Sequence, residues 1–363
     1  MVNFKPTDEQ ELIRDTMAGF AREVLRPAGR EADEHNEVPG PLVQRGWELG
    51  LVQSAIPENL GGYGDVRSAV TGTLLLEELA YGDLALALHL LAPRLLTVPL
   101  LTVGTAAQQE RWLRPFAGDE FVAGTAAFLE RRWDFDSASM ATKAVREGGD
   151  WVLTGEKCLV PLAHEAATML VYAATADGLG AFVVERGSAK LTVGEREKNM
   201  GIKALATYPV KLEGVRVPAA ARLGGDGANL QPLIDASRIA VAALAVGVAR
   251  AAFDYARDYA KERRAFGVAI GQKQAIAFKL ANMAIEIDAM RLLTWEAAWK
   301  LDRGEPATRE AVLAKDYASR SSLGVTDDAV QVLGGHGYIR EHPVELWLRN
   351  ARGFSTFDGL ALV

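Results

Sequence analysis

Cysteine is almost missing from this chain of 363 residues: Cys158 stands alone, so no internal disulfide can form, and zinc sites or redox pairs built on several cysteines are excluded. The chain reads as a protein of a reducing compartment, and a cytoplasmic location is expected. Histidine is scarce as well. His35, His89, His164, His336 and His342 are scattered with no metal-ligand spacing, so no metal site is expected. Positive charge is not in excess: 40 Lys and Arg against 47 Asp and Glu leave a net charge of −7, which argues against nucleic acid as a main partner. The first residues, Met-Val-Asn-Phe-Lys-Pro-Thr-Asp, lack the apolar centre of a signal peptide. No apolar run reaches the roughly 20 residues that cross a bilayer. Leu84 to Leu101 is broken by His89, Pro93, Arg94 and Pro99, and Ile239 to Ala249 covers about 11 residues.

What is present is a large core. Hydrophobic residues make up 49% of the chain and charged residues 24%, a soluble globular composition, and the length is that of two or three domains. Thr7 followed by Asp8, Glu9 and Glu11 predicts a helix start, and apolar residues from Leu12 to Leu25 keep helical spacing until Pro27. Further helices are predicted over Pro41 to Leu51, Val66 to Tyr81 and Gln108 to Phe116. Between about Phe121 and Gly224 the pattern changes to short β-branched and aromatic runs: Trp151 to Thr154, Met169 to Tyr172, Ala181 to Glu185, Leu191 to Val193 and Tyr208 to Val217. Helical spacing returns over Leu230 to Lys261, Gln274 to Arg303 and Thr308 to Gly334. The expected fold is α+β and mainly α: an N-terminal helical domain (1–120), a middle antiparallel β domain (121–224) and a C-terminal helical bundle (225–363). Trp295 and Trp299, at i and i+4, are expected on a core-facing stripe, and Cys158 as a small buried hydrophobe.

Several motifs recur in one order. They are Trp47-Glu-Leu-Gly-Leu51, Ile56-Pro-Glu-Asn-Leu-Gly-Gly-Tyr-Gly64, Glu77-Glu-Leu-Ala80, Leu153-Thr-Gly-Glu-Lys157, Asn199-Met-Gly201, Tyr259-Ala-Lys-Glu-Arg-Arg-Ala-Phe-Gly267 with Gln274, and Gln331-Val-Leu-Gly-Gly-His-Gly-Tyr338 with Arg349-Asn-Ala-Arg352. In this order and spacing the chain resembles the acyl-CoA dehydrogenase family over nearly its whole length. The resemblance implies a homodimer or homotetramer that binds FAD and removes the α proton and β hydride of an acyl thioester in fatty acid metabolism. The electrons would pass to an electron-transferring flavoprotein or to oxygen. It also implies that Arg263, Phe266, Gln274, Gln331, Gly334 and Gly335 hold the adenosine half of FAD. Such residues suit that task, since glycine lets backbone approach a pyrophosphate and arginine brings a planar charged fork.

At the flavin ring and the base the chain departs from the family. The usual Thr-Glu-Pro-Gly-Ala-Gly-Ser-Asp run is Leu129-Glu-Arg-Arg-Trp-Asp-Phe-Asp136 here, keeping only Glu130 and Asp136. Where the family places a Thr or Ser hydroxyl against the flavin stands Pro161, which offers neither hydroxyl nor N–H. Family members continue into another helix beyond the residue matching Val363. The glutamate base is replaced by Asp358, flanked by Phe357 and Gly359, and the alternative base position is Ser237 beside Arg238. By the resemblance Asp358 is the catalytic residue, as aspartate is in the related nitroalkane oxidases, and Arg238, Phe357 and Gly359 contact substrate. Three functions stay open: an FAD-dependent acyl-CoA or acyl-carrier-protein-linked dehydrogenase, a flavin-free acyl-thioester-binding paralogue that partners an active subunit, and another flavoenzyme of the superfamily, an oxidase or monooxygenase.

Overall fold

A computed structural model describes residues 5–64 and 67–363. Thr7 caps the first helix α1 (Asp8–Phe20): its hydroxyl accepts from the Gln10 amide while the Gln10 side chain accepts from the Thr7 amide. The chain does not stop at Pro27 as the sequence pattern predicts. A π-helical turn over Ala21–Leu25 leads straight into α2 (Arg26–His35), and the wider turn accommodates the proline that has no N–H to give. Then come α3 (Gly40–Trp47), α4 (Ala69–Gly82), α5 (Leu84–Leu91), α6 (Arg94–Val103) and α7 (Ala106–Trp112). The predicted start of α4 at Val66 lies outside the described residues, as do Met1 to Phe4. The run from Leu84 to Leu101, read as merely interrupted, forms α5 and α6, which keep helical hydrogen bonds through Pro99 and are almost wholly buried.

Seven strands form one sheet: β1 (Thr125–Ala127), β2 (Lys143–Glu147), β3 (Asp150–Pro161), β4 (Thr168–Thr175), β5 (Gly178–Glu185), β6 (Leu191–Val193) and β7 (Thr207–Val217). The hairpins β2–β3 and β4–β5 and the pairs β3–β7 and β6–β7 are antiparallel. A purely antiparallel sheet is corrected in one respect. β4 carries β5 on one edge, and on the other it takes β1 in parallel through Thr125↔Met169 to Ala127↔Val171 and touches β2 at Lys143↔Ala174. β1 and β2 are absent from the sequence reading because the first is three residues long and the second buries only Ala144.

The last part is a bundle of α8 (Gln231–Glu262), α9 (Gln274–Asp302) and α10 (Thr308–Leu333), closed by α11 (Gly335–Tyr338) and α12 (Val344–Ala351). A two-strand hairpin, β8 (Arg264–Ala265) and β9 (Val268–Ala269), joins α8 to α9. At 32 residues α8 is long and apolar enough to span a membrane, but 83% of its apolar window is buried inside the protein, as befits a core helix. It lies so close to α4 that a Cβ on Gly247 would sit 2.3 Å from the Glu77 carbonyl oxygen. Trp295 and Trp299 are half-buried rather than in the core. They line a groove with Lys5, Pro6 and Thr7 on the outer side of α9.

One guanidinium fastens the parts together. Arg349 of α12 donates to both carboxylate oxygens of Asp33 in α2 (3.0 and 2.8 Å), to Glu345 (2.8 Å) and to the Met200 carbonyl (3.0 Å). Beside it Asn350 Oδ1 accepts from the Ile202 amide at 2.7 Å.

Candidate active site

Asp358 is delivered by a tight segment that follows α12. Gly359 adopts φ +76°, and a side chain there would put its Cβ within 2.6 Å of Phe128, so the position requires glycine. Its amide donates to the Ser237 hydroxyl at 2.8 Å, pinning the segment to the second turn of α8. Asp358, Ser237 and Arg238 thereby meet in a chamber of about 400 Å³, whose other walls include Phe128, Phe135 and Ile234. Arg238 is only loosely paired, with Asp235 Oδ1 at 4.0 Å, because Asp235 already accepts from Gln231 (2.8 Å) and Thr308 (2.7 Å). The sequence reading missed the main partner of Asp358: Lys315 of α10 donates to its Oδ2 at 2.6 Å.

The β wall explains what became of the altered 129–136 run. Glu130 is buried and accepts from the amides of Ala141 (2.7 Å) and Thr142 (2.8 Å) and from Lys157 Nζ (3.1 Å). Burial pushes the Glu130 carboxyl up, but Lys157 and those amides outweigh it and hold it below the usual range. Burial also draws the Lys157 ammonium down to about 8 against the pull of Glu130. The bulky residues do not fill the site. Trp133 is 98% exposed, Arg131 reaches outward to Glu197, and Arg132 forks onto Asp134. Of this run, Phe135 lines the chamber, edge-on to Phe128 at 5.5 Å, together with Asp136. Asp136 accepts from the Ala138 amide at 2.9 Å and caps the turn Ser137–Ser139.

Next to the chamber lies a second cleft of about 180 Å³ between Leu159 on one side and Phe357, Thr356 and Arg352 on the other. Leu159 sits at a bulge of β3 with φ +52°, and its amide donates to Glu197 at 2.9 Å. Pro161 ends β3 opposite Thr207 and is buried. Burial pushes the thiol of the half-buried Cys158 up to about 11, which disfavours the reactive thiolate. A small space of about 10 Å³ beside the chamber is walled by Leu95, Phe128, Tyr172, Gly359 and Leu362. The residues predicted to contact substrate thus divide: Arg238 lines the chamber, Phe357 the cleft and Gly359 the small space.

The six residues expected at the adenosine of FAD lie elsewhere. Arg263 follows the end of α8, Phe266 is 95% exposed at φ +52° in the hairpin, and Gln274 opens α9. Gln331 is in the last turn of α10, ahead of Gly334 (φ +59°) and Gly335. All six are exposed. A hydrogen bond of 2.8 Å between the Tyr259 hydroxyl and His336 Nδ1 ties α8 to α11, so both groups share one pole of the bundle. That pole is far from Asp358: a rise of 1.5 Å per residue puts Arg263 about 37 Å along α8 from Arg238.

Three helical and sheet layers with a chamber at their junction define a class, and comparison with known proteins agrees. Models of the N-terminal, middle and C-terminal domains of acyl-CoA dehydrogenase match residues 7–120, 127–215 and 225–361. The chain belongs to the acyl-CoA dehydrogenase family. It is 36% identical to the probable acyl-CoA dehydrogenase YngJ of Bacillus subtilis, over 99% of this chain and 96% of that one. It is 34% identical to the mitochondrial short-chain specific acyl-CoA dehydrogenase of Bos taurus, over 97% and 87%. Among solved structures, butyryl-CoA dehydrogenase from Megasphaera elsdenii superposes with a TM-score of 0.88 at 33% identity, covering 98% of this chain and 96% of that one.

Proposed function

We propose that this chain is an FAD-dependent oxidoreductase that removes the α and β hydrogens of an acyl thioester, with Asp358 as the base. The observation that carries the reading is the chamber itself, where the carboxylates of Asp358 and Asp136, a loosely paired arginine and the apolar side chains of Phe128, Phe135 and Ile234 converge at the junction of bundle and sheet. The thioester α proton is too weakly acidic for an ordinary carboxylate unless charge on the carbonyl oxygen is stabilised and water is kept away. Arg238 supplies the positive charge. Phe128, Phe135 and Ile234 supply the dry wall. Lys315 occupies Asp358 Oδ2 and leaves Oδ1 to take the proton. Aspartate reaches about 1.5 Å less than glutamate, and misplacement on that scale costs on the order of 10²-fold in rate. Simple straight-chain acyl-CoAs are therefore expected to turn over slowly.

The residues present accommodate FAD. Trp133, Arg131 and Arg132 are not among the residues that line the cleft beside Phe357. Next to its lining residues Arg349 and Arg352, the buried amide nitrogen of Asn350 has no hydrogen-bond partner. Leu159, Phe357 and Arg352 would flank the ring system, and when bound the flavin supplies the hydride acceptor. The adenosine half would fall to Arg263, Phe266, Gln274, Gln331, Gly334 and Gly335 of a second copy, since within one chain Arg263 lies about 37 Å along α8 from Arg238 in the chamber. A homodimer or homotetramer, a cytoplasmic location and an electron-transferring flavoprotein or oxygen as acceptor belong to the same reading.

The test is the visible spectrum of the purified chain. Flavin bands that bleach anaerobically on adding an acyl thioester support it. A colourless protein that takes up no added FAD overturns it in favour of the flavin-free paralogue.

A further inference from the structure

One space of the site is both too small for an alkyl tail and lined by two hydroxyl-bearing residues, Tyr172 and Ser237. It adjoins the Asp358 chamber, with Phe128, Ile234 and Ser237 in the walls of both. Its volume of about 10 Å³ is at the lower limit for a single water-sized group, for which about 10–15 Å³ is needed. The far wall is firm. Leu362 is 5% exposed, and the residue behind it is anchored: Arg67 Nη1 donates to the Val363 carbonyl at 2.9 Å, and a Cβ on Gly72 would stand 3.2 Å from Val363. One wall is Tyr172, buried and edge-on to Phe128 at 5.0 Å. Its hydroxyl has no hydrogen-bond partner among the described residues, and burial alone pushes its pKa upward. The Ser237 oxygen, already accepting from the Gly359 amide, still has a proton to donate.

A hydroxyl left without an internal hydrogen bond in the wall of this space is free to pair with a polar group placed there. We propose that the site selects a short acyl group whose far end carries one hydrogen-bonding group, read by the Tyr172 hydroxyl, with Leu362 as the stop. The proposal rests on the acyl-thioester reading above and names its substrate class. Pockets that pair a substrate hydroxyl discriminate more sharply than pockets that only measure length.

The experiment uses the full chain loaded with FAD and three pantetheine thioesters, the portion that CoA and a carrier protein share: butyryl, 4-hydroxybutyryl and octanoyl. Binding is followed by calorimetry and reduction by anaerobic bleaching. Expected are a preference for 4-hydroxybutyryl over butyryl of about 10-fold or more, and rejection of octanoyl by on the order of 10²-fold. Tyr172→Phe should bring the hydroxybutyryl-to-butyryl ratio close to one. Leu362→Ala should recover octanoyl binding by about 10-fold, and Leu362→Val by less but in the same direction if the alanine variant does not fold. Equal acceptance of octanoyl and butyryl by the wild type, or a ratio that survives Tyr172→Phe, overturns the proposal. Failure of all three thioesters to bind overturns the acyl-thioester reading itself.

Discussion

The two ends of α8 are built differently. At its start, Ser237 and Arg238 are enclosed, the Gly359 amide is bonded to Ser237, and Asp358 is paired with Lys315, all within one chain. At its end, Arg263 and Phe266 are exposed, and the glycines that close α10 stand open beside them. The contrast teaches that the carboxylate chamber is assembled within one chain while the glycine-bearing pole of the bundle stands open; the proposed function gives proton transfer to the first and dinucleotide binding, shared with another copy, to the second.

That comparison can be broken most severely at Asp358. Asp358→Asn keeps the shape of the side chain and removes the base, so flavin content should stay and the bleaching rate fall by about 10²- to 10⁴-fold in stopped-flow measurements. Full retention of the rate would move the base elsewhere. The support beneath the chamber comes next. Glu130→Ala leaves Lys157 buried without its partner and two amides without an acceptor, and should cost roughly 3–5 kcal/mol in chemical denaturation.

His89, in α5 of the N-terminal helices, gives a stability effect that pH reads. It stacks on Phe121 at 5.7 Å with a partnerless Nδ1, and burial lowers it from 6.5 to about 4. Between those values the unfolded chain binds a proton that the folded chain refuses, so stability falls as pH drops from 6.5 towards 4, by up to about 3 kcal/mol. His89→Leu should flatten that part of the stability profile. The open half gives the smallest effect. Arg263→Ala should leave stability unchanged and weaken FAD binding by about 10-fold, the worth of one charged hydrogen bond, read by cofactor release on dilution. Tight FAD binding by a chain held monomeric would erase the distinction between the two ends.

Much of this was legible in the amino-acid order. Ile239 to Ala249 announces a helix buried on all sides, and the runs at Met169, Ala181 and Tyr208 announce the strands, because both signals are local periodicities. The partnership of Lys315 with Asp358 spans 43 residues and that of Lys157 with Glu130 spans 27, and no periodicity encodes a pair that only tertiary packing brings together. The parallel pairing of β1 was hidden for a different reason. Three residues are too few to show a period of two, and all of them are buried. Pro27 misled because its missing N–H normally ends a helix, whereas a π-turn absorbs it here.

The Arg349 guanidinium has a bearing on how the molecule comes apart. A single side chain is gripped by α2, by α12 and by the backbone at Met200, so helical layer, sheet and bundle share one fastening. Neither layer can be released without stranding a charge that the other two are holding. Heat should therefore melt the chain in one calorimetric transition, with a van't Hoff enthalpy equal to the calorimetric one, despite a size at which separate transitions are common.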